Sequence, residues 1–201
     1  MTGLRPTKLV SESVHELPAS FFAGDALAVA PTLLNKVLVG AGGTAGRVVE
    51  VEAYRGADDP GSHAYRGMTP RTEIMFGSPG MLYVYFTYGM HWCANVVAEE
   101  EGHPAAILIR ALSPLRGHDV MRRRRVKARR DRDLSNGPAK LCQALGIDGT
   151  LDGTKAPLFD DGVAPPADPV QTTRIGLTHG MDLPWRWYVA DDPHVSRPLH
   201  P

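Results

Sequence analysis

Two stretches of alternating residues meet at one glycine, and this pattern constrains the fold more than any other feature of the sequence. Met81 to Tyr88 reads MLYVYFTY, and after Gly89 the alternation resumes at Trp92 to Val97 as WCANVV. A two-residue period places successive side chains on opposite faces of a strand, and two such runs around a short turn are typical of a β-hairpin. The sequence therefore predicts a hairpin with residues 88–91 at its tip.

Three further stretches are predicted strands, namely Lys36 to Gly40, Arg47 to Tyr54 and Ala105 to Leu112. The 21 glycines and 17 prolines make up about a fifth of the chain, which favours short elements and argues against a helix bundle. Hairpins outnumber helical crossovers in this pattern, so the sheet should be mainly antiparallel. We predict an α+β fold, a single mixed domain over residues 1–201, with 1–20 and 191–201 as loose termini.

Four helical elements are predicted around the sheet. They are Pro18 to Phe22, Ala26 to Ala30 capped by Asp25, Asp119 to Arg132 with a basic face, and Gly137 to Gly146, which proline opens and glycine closes. Arg174 to Leu177 and Arg186 to Val189 are short strand candidates. The glycine-rich stretch 40–46 precedes a β-branched run rather than the helix that a phosphate-cradling loop requires, so we interpret it as a hairpin turn.

Charge is balanced overall but is unevenly distributed. The chain has 22 lysines and arginines and 22 aspartates and glutamates, while Arg116 to Asp133 holds nine cationic and three anionic residues. Such a run forms either a solvated surface or a surface that contacts phosphates. Seven of the nine residues Arg122 to Arg130 are cationic, which is more than a solvated face needs and favours phosphate contact.

Several classes of protein are disfavoured. The chain has no apolar run of the roughly 20 residues that a membrane helix needs, and its N-terminus has no leader pattern, so we expect a cytoplasmic protein without membrane contact. Cys93 and Cys142 lack the spacing of a metal knuckle and are predicted to be reduced core thiols. The spacing of His63, His91 and Cys93 matches no zinc site, and we expect neither a metal nor a cofactor.

Two carboxylates on one predicted strand are the strongest candidates for chemistry. The two-residue period places Glu50, Glu52 and Tyr54 on one face and Val49, Val51 and Ala53 on the other. A glutamate on a strand is most often solvated or salt-bridged, and a ladder of tyrosines is often only core. Tyr88 differs, because at a hairpin tip it would be exposed unless it meets a partner. A basic surface, an exposed aromatic wedge and a carboxylate near aromatics fit an enzyme that takes a base out of a stack and cuts it.

Five motifs resemble the alkyladenine (3-methyladenine) DNA glycosylase family in its bacterial form. They are Glu50 to Tyr54 (EVEAY), Ser62 to Thr72 (SHAYRGMTPRT), Met75 to Gly80 (MFGSPG), Tyr83 to His91 (YVYFTYGMH) and Leu108 to Leu112 (LIRAL). The resemblance implies a single mixed domain with a curved antiparallel sheet and a protruding β-hairpin. It also implies a monofunctional DNA glycosylase that flips alkylated or deaminated purines out of duplex DNA and hydrolyses the N-glycosidic bond, which starts base excision repair.

The resemblance also implies a role for individual residues. Glu52 falls on the family's catalytic general base, and Arg110 on an arginine that positions water and phosphate beside it. The remaining expected site residues are Tyr54, His63, Tyr85 and Asn95 in the base pocket, and Tyr88 and Met90 as DNA-intercalating residues. At the DNA backbone we expect Arg71, Lys140, Arg122, Arg124 and Arg125, of which the last three are assigned on local charge alone. The expected partner is double-stranded DNA with a damaged purine, bound by a monomer.

Two other functions remain open at this point. A hydrolase of free nucleosides would use the same carboxylate but would need neither Tyr88 nor the arginine-rich run. A protein that only binds nucleic acid, such as a lesion sensor, would not depend on Glu52 for product formation. Base release from duplex DNA, compared between the natural chain and Glu52→Gln, separates both from a glycosylase.

Overall fold

A computed structural model describes residues 14–198, and in this part of the chain nine strands form one sheet. The strands are β1 (His15–Glu16), β2 (Val37–Val39), β3 (Ala45–Tyr54), β4 (Leu82–Thr87), β5 (His91–Ala98), β6 (Ala105–Arg116), β7 (Leu158–Asp160), β8 (Val170–Thr172) and β9 (Arg186–Tyr188). Their order is β1-β7-β2-β3-β6-β5-β4, and β9 pairs with β3 and β8. Every pair is antiparallel, so the prediction of a curved, antiparallel α+β domain is confirmed.

Four short helices accompany the sheet, and their ends follow the sequence. They are α1 (Ala19–Phe22), α2 (Ala26–Thr32), α3 (His118–Arg124) and α4 (Pro138–Leu145). The Asp25 carboxylate accepts from the Leu27 amide at 2.7 Å, which confirms the predicted cap of α2. Helix α4 begins at its proline, and Gly146 caps its end in the left-handed conformation, as predicted.

The main core lies between the sheet and helices α2 and α4. It combines apolar residues of the helices, such as Leu141 and Leu145, with residues of the long strands, such as Ile107 and Ile109, and all four are fully buried. Cys93 and Cys142 are buried and unpaired, which confirms that they are core thiols. Within residues 14–198, no helix is both long enough and apolar enough to cross a membrane.

Strand β3 departs from strict alternation at a β-bulge. Val48 pairs with Leu112 and Glu50 with Ala111, so Val49 is an extra residue without a partner on β6. Val49 therefore turns away from Val51 and packs in a separate cluster with Ala111, which corrects the prediction that Val49, Val51 and Ala53 share a face. The next pair, Val51 with Ile109, restores the register and leaves Arg110 as the extra residue of β6.

The basic helix is shorter than predicted. We expected a helix from Asp119 to Arg132, but α3 ends at Arg124, and Arg125 leaves helical geometry with φ −110° and ψ 52°. A continued helix would stack like charges one turn apart along residues 122–130, which is unfavourable. The chain instead forms turns before a short 3-10 helix at Asp131–Asp133.

Three other predictions need correction. Residues 174–177 form a loop rather than a strand, whereas 186–188 are the strand β9. Residues 191–198, which were predicted to be a loose tail, pack against the rest of the domain, and Val195 is buried there. At the other terminus, residues 15–20 contain β1 and the start of α1. The rest of both predicted termini, residues 1–13 and 199–201, lies outside the described residues.

Candidate active site

A cavity of about 300 Å³ lies between the β4–β5 hairpin, strand β6 and two loops, at residues 61–63 and 175–177. A cavity of this size is typical of small-molecule sites. The four residues predicted for the base pocket, Tyr54, His63, Tyr85 and Asn95, all line this cavity, and so do Arg110 and Tyr88. The structure thus brings together side chains from β3, β4, β5 and β6 that are up to 56 positions apart in the sequence.

Glu52 lies directly behind the wall of this cavity and is fully buried. Its Oε2 accepts hydrogen bonds from the Tyr54 hydroxyl at 2.8 Å and from Arg110 Nη1 at 3.1 Å. Its Oε1 accepts from the backbone amide of Ile175 at 2.7 Å. All three donor residues line the cavity, so Glu52 is separated from it only by the groups that hold its carboxylate.

These bonds leave part of the Glu52 carboxylate unused. An ionised carboxylate offers about four acceptor positions, two on each oxygen. Among the described residues, two donors reach Oε2 and one reaches Oε1. One acceptor position on Oε1 therefore remains for a further donor, such as a water molecule.

Glu50 is also fully buried, which excludes the solvated interpretation for both carboxylates. Its Oε1 accepts from Arg110 Nε at 3.0 Å, and Arg186 Nε lies 3.1 Å from the same oxygen in an ion pair outside hydrogen-bond geometry. Arg110 thus bridges the two glutamates, and two carboxylates balance two guanidinium groups. Burial lowers the pKa of Arg110, but Glu52 and Glu50 raise it, and the net direction is upward.

The opposite wall of the cavity is aromatic. The His63 ring meets the Tyr85 ring edge-on at 4.5 Å between centroids, and the Tyr83 and Tyr85 rings lie 5.4 Å apart. Burial raises the pKa of Tyr83 and Tyr85, and for Tyr54 burial and then the Glu52 charge do the same, so all three phenols remain protonated. All three tyrosines line the cavity, and aromatic rings can stack on a flat ligand and attract cations.

His63 stands at the mouth of the cavity and is partly exposed to solvent. Burial of its ring and the nearby Arg71 guanidinium lower the pKa of His63 from 6.5 to about 4. Arg71 Nη2 lies 3.4 Å from His63 Nε2, and a guanidinium only donates, so this nitrogen is the acceptor. The proton then lies on Nδ1, which is 2.9 Å from the Tyr83 hydroxyl. His63 is therefore a neutral group near pH 7.

Asn95 lies on the floor of the cavity with its carboxamide anchored. Its Nδ2 donates to the Tyr83 carbonyl at 3.0 Å, and the residue is 4% exposed. Because the amide nitrogen is used in this way, the side chain is held in one orientation at the cavity wall.

The hairpin tip presents its aromatic residue to solvent. Tyr88 is 83% exposed and adopts a positive φ of 50°, which is uncommon for a residue other than glycine. Met90 is 68% exposed on the same turn. Tyr88 borders the cavity, whereas Met90 borders a second groove of about 600 Å³, so the tip separates two concave surfaces.

Most of the cations that were predicted to contact the DNA backbone are already bonded to other groups of the protein. Arg124 donates to the Ala41 and Ala144 carbonyls, and Arg125 donates to the Leu134 and Asp133 carbonyls and to Gln143. Arg122 is exposed but pairs with Asp119 and Asp131. Lys140 donates to Asn136 Oδ1 at 2.8 Å, and exposed Arg71 stacks over the Tyr85 ring at 5.3 Å.

Sequence reasoning missed several residues that build the site. Arg174 is fully buried, pairs through both terminal nitrogens with Asp59, and lies over the Tyr54 ring at 4.6 Å. The adjacent Ile175 supplies an amide to Glu52, and Ser196 of the predicted tail reaches Glu50. A backbone donor and a contact across more than a hundred residues leave no local sequence signal. Within the described part of the chain, no three acidic, histidine or cysteine side chains group as metal ligands.

Comparison with known proteins identifies the family of the chain. A family model described as methylpurine-DNA glycosylase matches residues 20–193. A protein of Burkholderia lata is 55% identical over 190 residues, with 91% of this chain and 92% of the relative covered. Relatives from Streptomyces avermitilis and Carboxydothermus hydrogenoformans are each 47% identical, with 90% of this chain and 90% or 98% of the relative covered. All three are provisionally named 3-methyladenine DNA glycosylase. The chain belongs to the methylpurine-DNA glycosylase family, whose members remove bases from DNA in its repair.

Proposed function

We propose that this glycosylase flips an alkylated purine out of duplex DNA into the aromatic cavity, and that Glu52 activates the water that cleaves the N-glycosidic bond. A purine alkylated on a ring nitrogen is cationic, so it leaves without strong acid, and one general base with an aromatic stack is sufficient. Attack of water on the anomeric carbon breaks its bond to the ring nitrogen, yields the free base and a sugar hydroxyl, and passes one proton to Glu52.

The observation that carries this proposal is the remaining acceptor position on Glu52 Oε1. A general base needs an acceptor within hydrogen-bond reach of the water, and Arg110, Tyr54 and Ile175 fix the rest of the carboxylate. Glu52 is fully buried without DNA, so water reaches it only if the wall shifts. We assign that shift to DNA binding and to the loop at residues 175–177, because this loop forms both the wall and the donor to Oε1.

The hairpin tip supplies the wedge for flipping. Tyr88 borders the cavity and is exposed, so it can fill the gap that an extruded nucleotide leaves in the stack. Met90, exposed on the other side of the same turn, would contact the neighbouring stacked bases. Single-stranded or mismatched bases need less of this help, since they are already less stacked.

The rate at which a damaged purine is released should depend on whether the purine carries a positive charge. Because the pKa of His63 is about 4, this residue is neutral near pH 7 and is not a source of a proton for a leaving base. A deaminated purine such as hypoxanthine carries no positive charge and needs proton donation from a bound water. We propose that hypoxanthine is accepted but released more slowly than an alkylated, cationic purine.

The DNA backbone would be held beside the wedge by cations without acidic partners. Arg123, Lys127 and Arg129 are exposed, and no described carboxylate pairs with them. Lys127 lines the second groove together with His91 and Trp92, so it shares a concave surface with the hairpin that carries the wedge. Asp148 also borders this groove and stays ionised there, because hydrogen bonds from the Thr150 hydroxyl and amide lower its pKa. Of the predicted backbone contacts, Arg71 at the mouth of the cavity remains exposed and suited to a phosphate.

The first test measures base release from methylated DNA and from a duplex with one hypoxanthine. We expect the natural chain to release bases from both, and Glu52→Gln to lower release by about 10²- to 10⁴-fold, the usual contribution of a general base. Glutamine keeps the size of the side chain, and circular dichroism with a melting curve checks that the variant folds.

Glu101→Gln serves as the matched control, because Glu101 is an exposed carboxylate outside the cavity. It should release bases at the natural rate. Release that survives Glu52→Gln would contradict the assigned base, and release only from free nucleosides would favour a nucleoside hydrolase. DNA binding without any base release would favour a lesion sensor.

A further inference from the structure

The segment from Asp192 to Pro198 packs against Glu50 and the two arginines beside it, a position that no sequence motif predicts. The Ser196 amide donates to Glu50 Oε2 at 2.7 Å, and its hydroxyl donates to Glu50 Oε1 at 2.9 Å. The Arg197 carbonyl accepts from Arg186 Nη2. Two adjacent residues of this segment therefore contact two of the four buried charges.

Ser196 also contacts the arginine that bridges the glutamates. Its hydroxyl hydrogen is used in the hydrogen bond to Glu50 Oε1, so its oxygen is free to accept from Arg110 Nη2 at 3.4 Å. The guanidinium of Arg110 thus has three different partners: Nε binds Glu50, Nη1 binds Glu52 and Nη2 binds Ser196. Only one of its nitrogens is bonded to Glu52.

Because Arg110 makes only one bond to Glu52, the second oxygen of this general base stays open to water. The two terminal nitrogens of an arginine match the two oxygens of a carboxylate, and the paired, bidentate geometry is strong. The guanidinium is planar and rigid, so without the Ser196 contact the whole group could pivot about the bond from Nη1 to Oε2. This pivot would weaken the bond from Nε to Glu50 and bring Nη2 to Glu52 Oε1. This second bond would occupy the acceptor position that the attacking water needs.

We propose that Ser196 is a positioning residue for the glycosylase reaction, which holds Arg110 Nη2 away from Glu52 so that Oε1 can accept a proton from water. The inference rests on the proposed role of Glu52. It adds the segment at residues 192–198 to the active site, where it acts through Arg110 rather than on the substrate. None of residues 192–198 lines the cavity, so this segment should affect the rate of the chemical step and not DNA binding.

The test compares Ser196→Ala with Ser196→Thr. Alanine removes both hydroxyl contacts but keeps the amide bond to Glu50, whereas threonine keeps the hydroxyl. The experiment measures base release in a single turnover with enzyme in excess over a duplex that carries one alkylated purine. It also measures the Kd for the same duplex with a tetrahydrofuran abasic analogue, and the melting temperature.

We expect Ser196→Ala to lower the single-turnover rate roughly tenfold to a hundredfold, the range for a misplaced catalytic group, with Kd unchanged. Ser196→Thr should restore the rate. His194→Ala is the matched control, because His194 lies in the same segment but bonds to Asp192 and to none of the buried charges, and it should behave as the natural chain.

Three results would overturn the inference: a natural rate in Ser196→Ala, a loss of rate that Ser196→Thr fails to restore, or an equal loss in His194→Ala. The last two would indicate that the segment acts only through packing. If the natural chain releases no base from any duplex, the proposed function is wrong. A natural chain that releases bases at the same rate as Ser196→Ala contradicts only the role of Ser196.

Discussion

At the scale of single residues, His63 is the group whose charge state the structure sets most clearly. Burial of the ring and the Arg71 guanidinium lower the pKa of His63 to about 4. We expect its ring protons to titrate near pH 4 in an NMR measurement on the folded chain. A midpoint near 6.5 would contradict the geometry at the mouth of the cavity.

The lowered pKa of His63 also makes the stability of the folded state depend on pH. Between pH 6.5 and about 4 the unfolded chain binds a proton at this position and the folded chain does not, so His63 makes the folded state less stable as pH falls through that window. Arg71→Ala removes the second of the two causes and leaves burial, so the pKa of His63 should rise but stay below 6.5. Arg66→Ala, another exposed arginine nearby in the chain, should leave it unchanged.

At the scale of elements, the β4–β5 hairpin has a stable base and an exposed tip. Its paired residues extend to Thr87 and His91, and Tyr88 and Gly89 in the turn both adopt positive φ. If Tyr88 is the wedge, Tyr88→Ala should slow base release from a paired lesion by at least about tenfold, which corresponds to about 1.4 kcal/mol of the cost of unstacking.

The same variant should release the lesion from a single strand at nearly the natural rate, because no duplex gap has to be filled. Single-turnover assays on matched paired and single-stranded oligonucleotides measure both. Phe86→Ala is the control, since Phe86 is also an exposed aromatic of the hairpin but does not line the cavity. An equal loss on both substrates would indicate that Tyr88 acts in the pocket rather than as a wedge.

The elements also show what the sequence could and could not predict. Alternation identified the hairpin and the long strands, and proline and glycine marked both ends of α4, because these signals are local. The bulge at Val49 leaves Glu50 and Glu52 on the predicted face of β3, but it also places Val49 on that face. No residue type in the sequence indicates where a bulge will occur. Ser196 meets Glu50 across 146 positions, so its place in the site depends on tertiary packing alone.

At the scale of the whole molecule, zero net charge coexists with a locally positive surface. The α3 region gathers many cations, but ion pairs and backbone carbonyls occupy Arg122, Arg124 and Arg125. The number of cationic residues in this part of the sequence is therefore larger than the number that can bind a partner. Of the cations that remain available, Arg123 lies in α3 and Lys127 and Arg129 lie in the segment that follows it. Lys127 lines the groove at the hairpin.

This distinction predicts how salt should act on DNA affinity. Each phosphate that a cation neutralises contributes about 0.9 to the slope of log K against log salt, so replacing Arg123, Lys127 and Arg129 together by alanine should flatten the slope by up to about 3. Replacing Arg122, Arg130 and Arg132, which pair with aspartates, removes the same formal charge and should flatten it less. Fluorescence anisotropy with a duplex that contains an abasic analogue, over a salt series, measures both triple variants. Equal slopes would mean that overall charge rather than the unpaired cations governs binding, and a natural slope in the first variant would place the phosphate contacts elsewhere on the molecule.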